Sequence, residues 1–265
     1  MSLISKIIVI IILILPSYTF AAFEDKIPGG RPQGLGGAFC ALANDNNAIY
    51  YNPAGLVKLI SPTLSSTYQT LFNLPELRDQ SLNFALPLKN HKVVAFAMQV
   101  FGKNVYKERC LFLSYATSLF KSSYLGINIK SLKLNIIEAG LASSWSVDVG
   151  FLYDVNKNIS LGMMAKNINK PFLGEKLHSQ CRVGVKVNLI PKIELLCDFD
   201  YNQRLHIGVE LGLNQNFILR QGFLTKPKRY TFGLGIKNKR IALDYALANH
   251  SALSFTNQVS LTIIF

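Results

Sequence analysis

From Pro62 to Phe265, apolar and polar side chains alternate with a period of two, in runs of about ten residues. The last run is the clearest. Phe255, Asn257, Val259, Leu261, Ile263 and Phe265 share one face, and Thr256, Gln258, Ser260, Thr262 and Ile264 share the other. The same alternation sets Tyr230, Phe232, Leu234 and Ile236 against Thr231, Gly233, Gly235 and Lys237. It also sets Trp145, Val147, Val149, Phe151 and Tyr153 against Ser146, Asp148, Gly150 and Asp154. Runs of this kind, parted by Asn, Lys, Pro and Ser, predict strands and turns. About fourteen strands are expected, near 62–70, 79–88, 92–102, 108–118, 122–134, 144–154, 158–167, 181–188, 192–201, 205–213, 216–224, 230–237, 239–247 and 255–265.

Two features turn this all-β pattern into a transmembrane, antiparallel, up-and-down β-barrel. Strands of about ten residues match a tilted crossing of a bilayer, whereas ordinary strands run nearer five or six. The connections also alternate in length. Tight turns fall at Lys89–His91, Phe120–Ser123, Asn156–Lys157, Ile190–Pro191, Asn214–Gln215 and Asn238. Longer segments fall at Leu71–Arg78, Gly102–Lys107, Asn135–Ser143, Ile168–Gln180, Thr225–Arg229 and Ala248–Ser254, with Asn202–Arg204 the short exception. One tight and one looped end is what an outer-membrane barrel shows. An even strand count returns both termini to the tight-turn end. The last strand must then pair with the first, because lipid offers no partner to a free edge.

The same phase sorts the wall. Val, Ile, Leu, Phe and Tyr point outward. Lys130, Asp148, Asp154, Lys166, Arg182, Lys186, Glu194, Asp198, Asp200, Glu210, Arg220 and Asp244 point inward among Gly and Ser. Mixed signs suit ion-pair ladders lining a plugged lumen better than an ion-selective pore. Asp198, Asp200 and Glu194 could be read as catalytic carboxylates, but pairing with Arg182 and Lys186 on the preceding strand is the expected use. The inward apolar positions Phe112, Leu152, Met164, Leu196, Ile218 and Leu224 either line a greasy path or pack against an inserted segment.

Upstream of the strands the pattern breaks twice. Ile7–Leu15 is a short apolar run preceded by Lys6, broken by Pro16 and followed by Ala21-Ala22, the layout of a secretory signal peptide. Cys40 lies too far beyond it to be a lipidated N-terminus. Residues 1–21 are therefore read as a signal, 22–60 as an N-terminal hatch and 61–265 as the barrel. Within the hatch, Gly29, Gly30, Gly34, Gly36 and Gly37 allow close backbone approach. Ala38–Leu42 is a short helix candidate, Asn44–Asn47 a turn, Ala48–Tyr51 a second helical turn and Asn52-Pro53 a stop before the first strand.

Composition adds mainly exclusions. The formal charge of +13 raises nucleic acid as a partner, but the basic residues form no stripe or aromatic-interleaved patch. Clusters such as Lys226-Pro227-Lys228-Arg229 and Lys237-Asn238-Lys239-Arg240 lie in turns, where they meet solvent or anionic lipid headgroups. Cys40, Cys110, Cys181 and Cys197 show no CxxC spacing, and the four histidines show no HExxH. No metal, cofactor or catalytic set is expected.

The hatch stretch GLGGAFCALANDNNAIYYNPAGL resembles the N-terminal pattern of the FadL family of outer-membrane transport proteins and their PorV-type relatives. The resemblance rests on its small residues, on Asn44-Asp45 and on Asn52-Pro53-Ala54 directly before strand one. It implies a monomeric barrel closed by a hatch, with Gly34, Gly36, Gly37, Asn44, Asp45, Asn52, Pro53 and Ala54 as the hatch motif. It also implies passive passage of a hydrophobic or amphipathic small molecule, for which Phe39, Leu42, Phe112, Leu152, Met164, Leu196 and Ile218 are the candidate path. The chain departs from the family in its brief outer loops, which keeps open a non-transporting barrel that holds a secretion or surface-attachment partner. An aromatic last residue, Phe265, resembles the signal read by the barrel assembly machinery.

Overall fold

A computed structural model of the chain describes residues 22–23, 26–250 and 253–265. The expected signal peptide lies outside the described residues, as does part of the Ala248–Ser254 connection. Fourteen antiparallel strands close into one barrel in sequence order. They are β1 (Thr63–Thr70), β2 (Arg78–Leu88), β3 (Lys92–Gly102), β4 (Tyr106–Phe120), β5 (Ser123–Ile136), β6 (Gly140–Asp154) and β7 (Ile159–Lys166). The second half is β8 (Gln180–Ile190), β9 (Ile193–Asp200), β10 (Leu205–Gly212), β11 (Phe217–Leu224), β12 (Arg229–Lys237), β13 (Ile241–Ala248) and β14 (Thr256–Ile264). β14 pairs with β1, from Thr63 opposite Ile264 to Thr70 opposite Asn257, so no strand edge is left open.

Burial follows the two-residue phase. On β14, Thr256, Gln258 and Ser260 are buried, whereas Val259, Leu261 and Ile263 are exposed. On β12, Phe232, Leu234 and Ile236 face outward and Thr231 faces in. The wall thus carries an outer apolar coat and an inner polar lining, the inverse of a soluble sandwich.

The expected long connection at Asn135–Ser143 is instead a three-residue turn, because β5 runs to Ile136 and β6 starts at Gly140. Near that end β5 alternates in the reverse sense, with Lys133 and Asn135 exposed outside and Leu132 and Leu134 buried inside. The neighbouring strand adds Leu141 and Trp145 to the outer face, so the outer face there mixes polar and apolar side chains. Gly140, at φ 90°, takes the left-handed conformation that closes the turn.

Residues 26–58 lie inside the barrel, packed on its inner face. Two short helices form, α1 (Gly30–Gly34) and α2 (Ala48–Tyr51), followed by a 3₁₀ helix over Pro53–Lys58. The expected helix at Ala38–Leu42 is absent and that segment is a turn. Its Phe39 and Cys40 N–H groups both donate to the wall carboxylate of Asp198, at 2.9 and 2.8 Å. A buried charged acceptor outcompetes a helical carbonyl. Helix forms instead in the glycine run, where Gln33 N–H donates to the Gly29 carbonyl and Pro32 sits in a first turn that needs no N–H from it. Asn52 ends α2 in extended backbone, as expected, but the 3₁₀ helix intervenes before the first strand. The Asn52 side chain caps that 3₁₀ helix by accepting from the Ala54 N–H.

Candidate functional site

The N-terminal segment, expected above to be a hatch, runs along the inside of the barrel between its two ends. At the tight-turn end, Lys58 pairs with Asp154 at 2.7 Å, just before β1. At the looped end, the Phe23 N–H donates to Glu108, and Lys26 forms a close ion pair with the same carboxylate. Between these points, main chain lies directly on main chain. A Cβ added at Gly126 would sit 2.2 Å from Ala54 N, one at Gly162 2.3 Å from the Cys40 carbonyl, and one at Gly222 2.2 Å from Gly36 N. Gly126 pairs with Gly150, Gly162 with Gly184, and Gly208 with Gly222, so inward glycines cut a groove into the wall. Gly34, Gly36, Asn52, Pro53 and Ala54 of the expected motif lie in that groove, whereas Asn44 and Asp45 meet Arg31. Gly34 abuts Gly233, and the carbonyls of Gly36 and Gly37 meet His206 and Arg182. Asn52 donates to the carbonyls of Cys40 and Phe151, and Pro53-Ala54 lies on Gly126.

Charge fixes the same face. Arg31 donates two parallel bonds to Glu210, at 2.9 and 2.8 Å, and reaches Asn44 and Asp45 with its remaining Nη1. Arg220 bonds Glu210 from the other side at 2.6 Å and Asp244 at 2.7 Å. The order Asp45, Arg31, Glu210, Arg220, Asp244 alternates in sign from hatch into wall. Burial alone would favour a neutral Arg31, but Glu210 and Asp45 outweigh it and hold the guanidinium well above its ordinary pKa. Burial and Asp198 push the Cys40 thiol up, leaving it a small apolar group. Of the carboxylates considered for catalysis, Asp200 pairs with Arg182 and Arg204, and Asp198 holds the hatch amides. Glu194 lies opposite Asn188 in register.

The wall formed by β14, β1 and β2 is built differently. Its inner face is mostly hydroxyl and amide (Thr63, Ser65, Thr67, Gln69, Ser81, Asn83, Gln258 and Ser260, all buried), with one buried carboxylate, Asp79, that accepts from Gln99. Ser65 bonds Thr262 and Thr67 bonds Ser260 across the first-to-last strand seam, at 2.8 and 2.9 Å. The hatch touches both sides of that seam. Asn46 reaches Thr63 and Ser65 on β1, and the Gly30 N–H donates to Ser260 on β14 at 2.7 Å.

Space is left beside β3–β8. An outer hollow of about 460 Å³ opens among Leu71, Leu77, Val105 and Tyr106 at the looped end. An inner cavity of about 80 Å³ lies above the hatch against Phe23, Tyr50, Cys110, Phe112 and Leu132, with Lys130 and Lys166 at its side. Three residues line both: Lys26, Phe101 and Glu108. The Lys26 ammonium also sits 3.9 Å from the Phe101 ring centroid, so one side chain bridges the gap between hollows. A third hollow of about 580 Å³ lies at the tight-turn end, lined by Lys192, Glu194, Glu210 and Ile218.

The candidate path residues are therefore dispersed. Phe112 faces the inner cavity and Ile218 the tight-turn hollow. Phe39, Leu42, Leu152, Met164 and Leu196 are buried, and Phe39 packs edge-on against Tyr51 at 5.4 Å. Sequence reasoning missed Lys26, Phe101 and Glu108. Glu108 shares the inward phase of Phe112, so parity could have placed it inside. Nothing in the pattern brings Lys26 to it.

The architecture, a closed fourteen-stranded barrel threaded by its N-terminal segment, is that of the FadL-type outer-membrane channels. Among solved structures, the CymD monoaromatic hydrocarbon channel superposes with a TM-score of 0.73 at 12% identity, covering 92% of this chain and 99% of that one. The Pseudomonas putida toluene transporter TodX superposes at 0.67 and 11% identity (89% of this chain, 98% of that one). A Pseudomonas aeruginosa FadL homologue gives 0.68 at 9% identity, again covering 89% and 98%. No protein-family model and no curated protein matches the sequence.

Proposed function

We propose that this chain is an exported outer-membrane barrel that admits small hydrophobic or amphipathic molecules passively from its looped end. The observation that carries the reading is the pair of hollows that share Lys26, Phe101 and Glu108 in their linings. The exposed Leu, Phe, Ile and Val of the outer wall are the coat a bilayer requires. The fold it shares with hydrocarbon channels supports the same reading. A molecule gathered at the outer hollow reaches the aromatic inner cavity when Lys26 swings off Phe101. That step breaks one ion pair and no main-chain bond of the hatch groove. The residues of the groove hold the hatch, and no catalytic or cofactor step enters.

A second reading, a barrel that transports nothing and presents its rim to a partner, draws on the main-chain seal between hatch and wall. Uptake of radiolabelled toluene and of a radiolabelled long-chain fatty acid into proteoliposomes decides between them. Entry above empty liposomes that rises in Lys26→Ala supports transport. Entry of neither, with or without Lys26, overturns it in favour of the partner-binding barrel.

A further inference from the structure

Strand order places basic side chains around the rim of the tight-turn end. Lys89 lies between β2 and β3, Lys121 between β4 and β5, Lys157 between β6 and β7, Lys192 between β8 and β9, and Lys239 and Arg240 between β12 and β13. All are exposed, and among the described residues no exposed carboxylate lies in these turns. Only the turn between β10 and β11 lacks a cation, carrying Asn214, Gln215 and Asn216 instead. The looped end is also basic but mixed in sign, with Glu76 and Glu138 exposed beside its lysines. Immediately above the rim begins the apolar coat, with Leu88, Phe120, Ile190 and Ile241 exposed.

We infer that this rim is a binding surface for anionic phospholipid headgroups of the leaflet at the tight-turn end, an inference that rests on the membrane-spanning reading above. Successive tight turns are two strands apart, or about 10 Å, close to the Debye length at physiological salt. Each cation therefore repels its neighbours weakly yet can meet its own phosphate. A ring of separate charges at the lower edge of an apolar band matches a sheet of headgroups, with alkyl stems in the band and ammonium groups at the surface. An acidic protein would cover one arc of such a rim and leave the rest unpaired.

The test is native mass spectrometry of the detergent-purified mature protein offered phosphatidylglycerol or phosphatidylcholine. It is run on the wild type, on the rim variant Lys89→Gln/Lys121→Gln/Lys157→Gln/Lys239→Gln, and on a control at the looped end, Lys103→Gln/Lys170→Gln/Lys176→Gln/Lys228→Gln. The expected result is retained phosphatidylglycerol on wild type and control, with at least about tenfold weaker retention on the rim variant. Equal retention of the two lipids, equal loss in both variants, or selective capture of a polyglutamate probe in place of phosphatidylglycerol overturns the proposal. A wild-type chain that fails to insert into phosphatidylglycerol vesicles overturns this inference together with the membrane reading. Insertion without preference for the anionic lipid overturns this inference alone.

Discussion

The two halves of the lumen hold the hatch by opposite means. Along β5–β12 the hatch backbone lies on wall glycines, Asp198 takes two of its amides and Arg31 is locked between Asp45 and Glu210. Along β14 and β1–β4, contact runs through side-chain tips: Asn46 on Ser65, Tyr50 on Asn83, Lys26 on Glu108. Main-chain packing has no rotamers to change, so the first half can yield only by unfolding. Side-chain contacts open by rotation, and the outer hollow lies on that side, whereas the inner cavity reaches on to β8 and the tight-turn hollow lies along β8–β11. The difference assigns anchoring to one half and access to the other.

The strongest challenge to this contrast is to put a side chain into the groove. Gly126→Val and Gly222→Val force a Cβ to 2.2 Å from hatch nitrogens, and each should cost about 3 kcal/mol or more, with strain added to overpacking. Melting of the heat-modifiable band on gels would fall, and protease would cut the hatch. An unshifted melting profile would break the anchoring half of the comparison.

Asp198→Ala leaves the Phe39 and Cys40 amides buried without acceptor, and Arg31→Met leaves Glu210 with one cation in place of two. About 2–4 kcal/mol is expected for each from lost buried charge-assisted bonds. Denaturant titration followed by tryptophan fluorescence measures it, since the chain has one tryptophan, Trp145, on the wall. Smaller still is the seam. Asn46→Ala and Ser260→Ala should each cost about 1 kcal/mol, the usual net value of one buried hydrogen-bonding group. A cysteine pair placed at Ser66 and Leu261, which face each other across the seam, should then cross-link differently in the variants than in the parent. Apart from this series stands Lys26→Ala, which leaves the buried Glu108 without its cation and should cost about 2–3 kcal/mol while raising solute entry several-fold. A drop in entry would sink the access half of the contrast.

Much of this molecule was legible in advance, and the reason is periodicity. Each expected strand overlaps an observed one, because a wall with lipid-type and lumen-type faces writes its phase into every second residue. The connection between β5 and β6 was misjudged where the sense of the alternation reverses, with Leu132 and Leu134 inside and Lys133 and Asn135 outside. The hatch followed a different rule. Its glycines signalled close approach, but the helix moved from Ala38–Leu42 to Gly30–Gly34 because Asp198, far off in sequence, claimed the amides. Likewise Glu210 and Arg220 were recognisable as inward charges, while their order with Arg31 and Asp45 was not.

By itself, then, the sequence determined the barrel: strand number, closure, which side chains face in, and which end carries tight turns. These follow from local alternation and from the rule that no strand edge stays open. Only the tertiary structure decided which wall glycines meet the backbone of the N-terminal segment, that Lys26 lines two hollows at once, and that the turn lysines form one rim. Each of those depends on a distance between residues remote in the chain, and no local pattern encodes such a distance.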